Sequence, residues 1–123
     1  TLTWLSEQKR IGWMGEKLAA LYLKGKGLEI LEMNRNCPPH GEIDIIARNH
    51  DEIVFIEVKT AFKTNPDLLD EKVDKDKLKK ISHAIYQYQQ ETEQIDDIRI
   101  DCISVILQKK KPIIKHFEGI RLE

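Results

Sequence analysis

From Gly41 to Lys59 apolar and polar positions alternate along the chain, interrupted once by Arg48-Asn49-His50-Asp51-Glu52. Period-two alternation on either side of a short polar break predicts two strands joined by a tight turn. Asp44 and Ile46 then share one face of the first strand, and Ile53, Phe55, Glu57 and Lys59 share one face of the second. The opposite face, Ile43, Ile45 and Ala47 with Val54, Ile56 and Val58, is continuously hydrophobic. Both strands are therefore expected inside a sheet that is covered on that side.

The rest of the chain fits around this hairpin. Gln8 to Lys24 has helical spacing and ends at Gly25 and Gly27. Met14, Leu18 and Leu21 form one apolar stripe, whereas Glu16 lies with Ala19, Ala20 and Leu23 on a small-residue face that can pack closely. Leu28 to Met33 alternates as a strand, and Asn34 to His40 reads as a loop. Thr60 to Val73 is polar, contains Pro66 and is long for a connector. Leu78, Ile81, Ile85 and Tyr88 mark a second helix over Asp74 to Gln90, with Asp74 or Asp76 as N-cap. Lys77, at the edge of its buried face, can reach toward the sheet. Ile98 to Leu107 and Ile113 to Phe117 complete an αβββαββ order, with Lys109 to Pro112 as the turn between them. This predicts one α/β domain over residues 1–123, a mixed sheet flanked by helices with the hairpin in its middle.

A hairpin centred between His50 and Asp51 sets Asp44 opposite Glu57, with Cβ atoms about 4.5–5.5 Å apart. Two carboxylates so placed repel unless a cation lies between them or one takes a proton. The same register sets Glu42 opposite Lys59, an arrangement that also suits an ordinary cross-strand ion pair. Acids on paired central strands are costly without a partner, and a functional site is a common reason to accept that cost.

Bulk properties narrow the partners. The 123 residues are 41% hydrophobic and 33% charged, with net charge −1. The balance argues against strong autonomous nucleic-acid binding, for which a domain pI above about 9 is the usual footprint. The distribution is uneven. Lys72, Lys75, Lys77, Lys79 and Lys80 cluster on or near the second helix, and Lys109-Lys110-Lys111 form a second run. Such patches suit either phosphate contact or a solvated face. No apolar run is long enough to span a membrane, and Thr1 to Arg10 lacks a signal pattern, which points to the cytoplasm. Cys37, Cys102 and the four histidines show no zinc-ligand spacing.

Gly15-Glu16, Gly41-Glu42-Ile43-Asp44-Ile45-Ile46, Glu57-Val58-Lys59, Lys77 and Arg99-Ile100-Asp101, in this order, resemble the YraN-like family. These small bacterial proteins are grouped with the restriction-endonuclease-like, or PD-(D/E)XK, nucleases. The resemblance runs from about Gly12 to Ile120 and implies an αβββαβ core. It implies that Asp44 and Glu57 are metal-binding acids, that Lys59 is the basic member of the triad, and that Glu16 is an additional acid on the first helix. Lys77 is similar to the basic residue of the second helix. Ile43 stands where the proline of the "PD" half would be, and Thr60-Ala61 follows Glu57-Val58-Lys59 where relatives often carry Thr-Arg.

Such a set suits phosphodiester hydrolysis. Asp44 and Glu57 are hard oxygen donors for Mg²⁺ or Mn²⁺, the Val58 carbonyl can add a ligand, and Glu16 can hold a second ion or a metal-bound water. Lys59 can orient the attacking water or neutralise the phosphate. Lys77, Lys79 and Lys80 are the candidate nucleic-acid contacts. Three readings follow: a metal-dependent endonuclease acting on DNA, branched DNA included; a nucleic-acid-binding module of nuclease descent that does not cut; and a protein-interaction domain. The near-neutral charge favours the third, or a site completed in a homodimer.

Overall fold

His50 and Asp51 form a two-residue turn, with His50 in the left-handed region at φ 58°, and around it the chain folds back on itself. In the computed structural model, which describes residues 4–63 and 75–121, the flanking strands are β2 (Glu42–Asn49) and β3 (Glu52–Phe62). Asn49 pairs with Glu52 and Ile45 with Ile56, the expected register. The other elements are α1 (Trp4–Gly25), β1 (Glu29–Asn36), α2 (Lys75–Thr92), β4 (Asp97–Leu107) and β5 (Ile113–Phe117). One five-stranded sheet runs in the order β1-β2-β3-β4-β5. The β3–β4 pair is parallel and every other pair antiparallel, so the sheet is mixed, as expected. A parallel pair needs a crossover, and α2 lies within it.

Each face of the sheet carries one helix. Ala19, Ala20 and Leu23 of α1 pack on Ile45, Ala47, Val54, Ile56, Ile103 and Val105. Ala84, Ile85 and Tyr88 of α2 pack on Ile46, Ile53 and Phe55, with the Tyr88 ring edge-on to Phe55 at 5.5 Å. The α1 contact is unusually close. A Cβ on Gly15 would stand 1.8 Å from Thr60 Oγ1, so only glycine lets the helix lie this near β3.

Three expectations change. Asn34 to Asn36, read as loop, extend β1, with Arg35 paired to Ile43 and Asn36 to Glu42. On α1 it is the small-residue face that packs on the sheet: Leu23 is fully buried, whereas Met14 is 45% and Leu21 64% exposed. The small-residue face wins because it brings the helix closest to a sheet surface already filled by branched side chains. Ile43 does not join Ile45 and Ala47; it packs with Ile46 and Phe55 under α2. Ile43 lies beyond the last β2–β3 pair, Ile45↔Ile56, and is paired only on its other side, with Arg35 of β1. Thr60 to Phe62, read as connector, continues β3, held by parallel pairing of Thr60 with Val105 and Phe62 with Leu107. The rest of that connector, together with Lys72 and Asp74, lies outside the described residues.

Arg99 and Asp101, named in the sequence only as part of the resemblance, fasten the far edge of the sheet. Asp101 is fully buried and accepts hydrogen bonds from Arg99 Nε and Nη2, both at 2.9 Å, and from the Gly119 N–H at 3.0 Å. His116 Nε2 lies 2.8 Å from the same carboxylate, and the Tyr22 hydroxyl lies 3.1 Å from His116 Nδ1. These bonds tie β5 and the segment after it to β4 and α1, and they hold the Asp101 carboxyl below its ordinary pKa despite burial.

Candidate active site

Where β2 and β3 stop pairing, a gap opens between them that side chains fill. The Val58 N–H donates to Asp44 Oδ2 at 2.9 Å, so the carboxylate takes over a backbone donor just beyond the end of the ladder. Val58 thus meets Asp44 through its N–H. Asp44 and Glu57 line one cavity of about 130 Å³ together with Glu42, His40, Lys77 and Lys80. Lys77 reaches down from the first turns of α2, and its Nζ lies 2.5 Å from Glu57 Oε1. The other Glu57 oxygen, Oε2, is buried without a hydrogen-bond partner.

The electrostatics follow from this crowding. Burial pushes the Asp44 carboxyl up to about 7; the charges of Glu16 and Glu57 push the same way, while the Val58 N–H and Lys77 oppose them. Glu16 is half-buried on α1 and is also held above its ordinary value by burial, with Glu42 adding to the rise and a hydrogen bond with Asn34 opposing it. Burial works against the Lys77 ammonium, but the Glu57 and Asp44 carboxylates outweigh it and hold the lysine above its usual value. On β4, buried Cys102 is in register with Glu57; burial raises its thiol, and the charges of Glu57, Lys59 and Lys77 reach it.

Of the residues singled out from the sequence, Asp44, Glu57, Lys77 and Lys80 meet in one cavity. Glu16 lies close enough for its charge to act on Asp44, but it does not line that cavity. Lys59 is half-buried two residues beyond Glu57, beside Ser104 of β4. Neither Glu42 with Lys59 nor Asp44 with Glu57 forms the expected cross-strand pair, because the β2–β3 ladder ends at Ile45↔Ile56; Glu42 pairs on its other side with Asn36 of β1. Lys79 is exposed and outside the cavity. Sequence reasoning missed His40, which lines the cavity and lies ring against ring with His83 of α2 at 5.1 Å. The only signal for it was its place just before Gly41-Glu42.

The donor set suits a hard divalent ion. Two carboxylates share a cavity, one of their oxygens is buried with no hydrogen-bond partner among the described residues, and burial together with neighbouring acids raises the Asp44 carboxyl to about 7. Among the described residues no three histidine, cysteine or acidic side chains form a ready-made ligand group.

Comparison with known proteins bears on the whole chain. Residues 15–105 match the family described as "Uncharacterised protein family UPF0102". A UPF0102 protein of Syntrophus aciditrophicus is 40% identical over 121 residues, covering 97% of this chain and 87% of that protein. The UPF0102 protein TTE1452 of Caldanaerobacter subterraneus is 42% identical over 113 residues, covering 85% of each. One from Alkaliphilus oremlandii is 42% identical over 115 residues, covering 90% of this chain and 97% of that protein. The matched span holds Glu16, Asp44, Glu57, Lys59 and Lys77.

Proposed function

Since the chain belongs to the UPF0102 family, the YraN-like proteins of the PD-(D/E)XK-related group, we propose that it is a divalent-metal-dependent nuclease that hydrolyses DNA phosphodiester bonds, branched DNA included. The observation that carries this reading is the buried, unpartnered Oε2 of Glu57 beside an Asp44 whose carboxyl is held near 7. A fold used only for structure has little reason to keep two crowded acids in a cavity, where Lys77 meets only one Glu57 oxygen and Asp44 is pushed toward its neutral form.

Asp44 and Glu57 would hold Mg²⁺ or Mn²⁺, with Glu16 acting on them through charge. A bound ion would polarise a phosphoryl oxygen and lower the pKa of a water. Lys59 would orient the attacking water and neutralise charge developing on the phosphate. Lys77 and Lys80 receive the phosphate backbone at the cavity mouth, and His40 adds a hydrogen-bonding group beside them. Asp44 keeps its tie to the Val58 N–H and so fixes the geometry of the fork.

The test is cleavage of supercoiled, linear, single-stranded and four-way-junction DNA with Mg²⁺ or Mn²⁺, by the intact protein and by Asp44→Asn, Glu57→Gln and Lys59→Ala. Metal-dependent cutting that falls at least about a hundredfold in each variant supports the proposal. DNA binding without cutting supports a second reading, a non-catalytic module of nuclease descent. The pairing of Lys77 with Glu57 favours that module, since an ammonium then neutralises the acid in place of an ion.

A further inference from the structure

The apolar stripe that α1 does not bury faces a second cleft, on the opposite side of the sheet from the acids. This cleft has a volume of about 1020 Å³. Met14 and Leu18 of α1 form one wall, Phe62 and Leu107 at the ends of β3 and β4 form the floor, and Pro112 closes it. Phe62 is half-exposed, and Leu21 continues the helical stripe one turn further along. It shares no residue with the cavity of Asp44 and Glu57. Among the described residues the polar lining is Lys63, Gln108, Lys109 and Lys110, and no carboxylate joins it. None of these three lysines forms an ion pair among the described residues.

We propose that this cleft docks an amphipathic helix of a partner protein, with leucine-like residues on its inner face and acids along its flanks. The wall points to a helix. Met14 and Leu18 are spaced i, i+4 and form a ridge, and such ridges interdigitate with those of a second helix. The rim points to acids, because three lysines around an apolar floor steer and orient a negatively charged segment. A second copy of this chain fits less well. Pairing the cleft with itself about a two-fold axis brings lysine against lysine with no acid in the lining to compensate. Nucleic acid fits less well too. Among the described residues Phe62 is the one aromatic ring in the lining, whereas single strands are held on successive aromatic surfaces.

The probe is a fluorescein-labelled peptide of about four helical turns with leucines at i, i+3, i+4 and i+7 and glutamates on its flanks. A matched peptide has lysine in place of glutamate. Fluorescence anisotropy with the intact protein should show salt-sensitive binding of the acidic peptide, at least about tenfold tighter than the lysine version. Phe62→Ser should weaken binding about tenfold or more. Replacing Lys63, Lys109 and Lys110 by glutamine should weaken it and flatten its salt dependence. Both variants should retain the Mn²⁺-induced rise in melting temperature of the parent protein, a readout of the separate acid cavity. Equal binding of both peptides, or no binding of either, overturns the proposal. So does displacement of the acidic peptide by an oligothymidylate, or a dimer in sedimentation equilibrium that Phe62→Ser dissociates.

Discussion

Lys77 Nζ lies 2.5 Å from Glu57 Oε1, joining the crossover helix to a central strand across the mouth of the acid cavity. The ammonium occupies a place that a divalent ion would also seek, so the two cations compete for one carboxylate. Lys77→Ala is therefore expected to bind Mn²⁺ more tightly than the parent protein, while its metal-free form loses stability above neutral pH. Isothermal calorimetry measures the first and thermal melting the second. Weaker Mn²⁺ binding in the variant would show that Lys77 supports the ion rather than standing in for it.

Stability should fall as Asp44 ionises. Its carboxyl titrates near 3.8 in its unperturbed state and is raised to about 7 in the fold. A raised pKa means that the folded protein binds the proton more tightly than the unfolded chain. The stabilisation is complete below about pH 4 and is lost as pH rises through 7. At roughly 1.4 kcal/mol per unit, the metal-free protein should lose up to about 4 kcal/mol across that window. Asp44→Asn should remove that component and be the more stable protein at pH 8. Melting curves of the two proteins at several pH values test this; parallel pH profiles would refute it.

Mn²⁺ should restore what ionisation costs, with a gain of about 2.7 kcal/mol at a hundredfold excess over its dissociation constant. Because the ion needs Asp44 deprotonated, its apparent affinity should decline as pH falls below 7. Asp44→Asn and Glu57→Gln should lose the response. An unchanged melting temperature in saturating Mn²⁺ at pH 8 would remove the metal site.

Gly15→Ala should destabilise the fold by about 1–3 kcal/mol, because the added methyl meets the Thr60 side chain and α1 must lift. Thr60→Ala removes the nearest atom and should recover part of the loss in the double variant. Additive effects of the two changes would show that the contact is not the cause.

Lys80 and Lys79 are neighbours in sequence but differ in place, since only Lys80 lines the cavity. If DNA enters there, Lys80→Gln should reduce the log–log salt slope of binding by about one, and Lys79→Gln should leave it nearly unchanged. Equal reductions would put the phosphate track along the outer face of α2 instead.

The hairpin was legible in the sequence because period-two alternation and a two-residue turn leave one register that buries the apolar face. Asp44 and Glu57 stand directly opposed in that register, but the ladder stops one pair short of them and they meet in a cavity instead. The reach of Lys77 was legible in its place at the edge of the buried face of the second helix. The face of Ile43 was not legible, since it lies beyond the last β2–β3 pair and alternation says nothing of where pairing ends. The packing face of α1 was legible in the small residues Ala19 and Ala20 beside Leu23, although hydrophobicity alone ranks Met14 and Leu21 above them. Thr60 to Phe62 looked like loop because its partners, Val105 to Leu107, lie far along the chain. His40 was invisible for a similar reason: its contact with His83 joins a loop to a distant helix.

The bond from Val58 to Asp44 makes one carboxylate both a fork pin and a member of the acid pair. Replacement by alanine strips the pin and the charge together, so lost cleavage in Asp44→Ala would report on splayed strands as much as on chemistry. The asparagine amide oxygen can still take the Val58 N–H, and it leaves the two strand ends moored while removing the charge. Mutational dissection of this fork separates architecture from catalysis only when the substitute keeps an acceptor at that position.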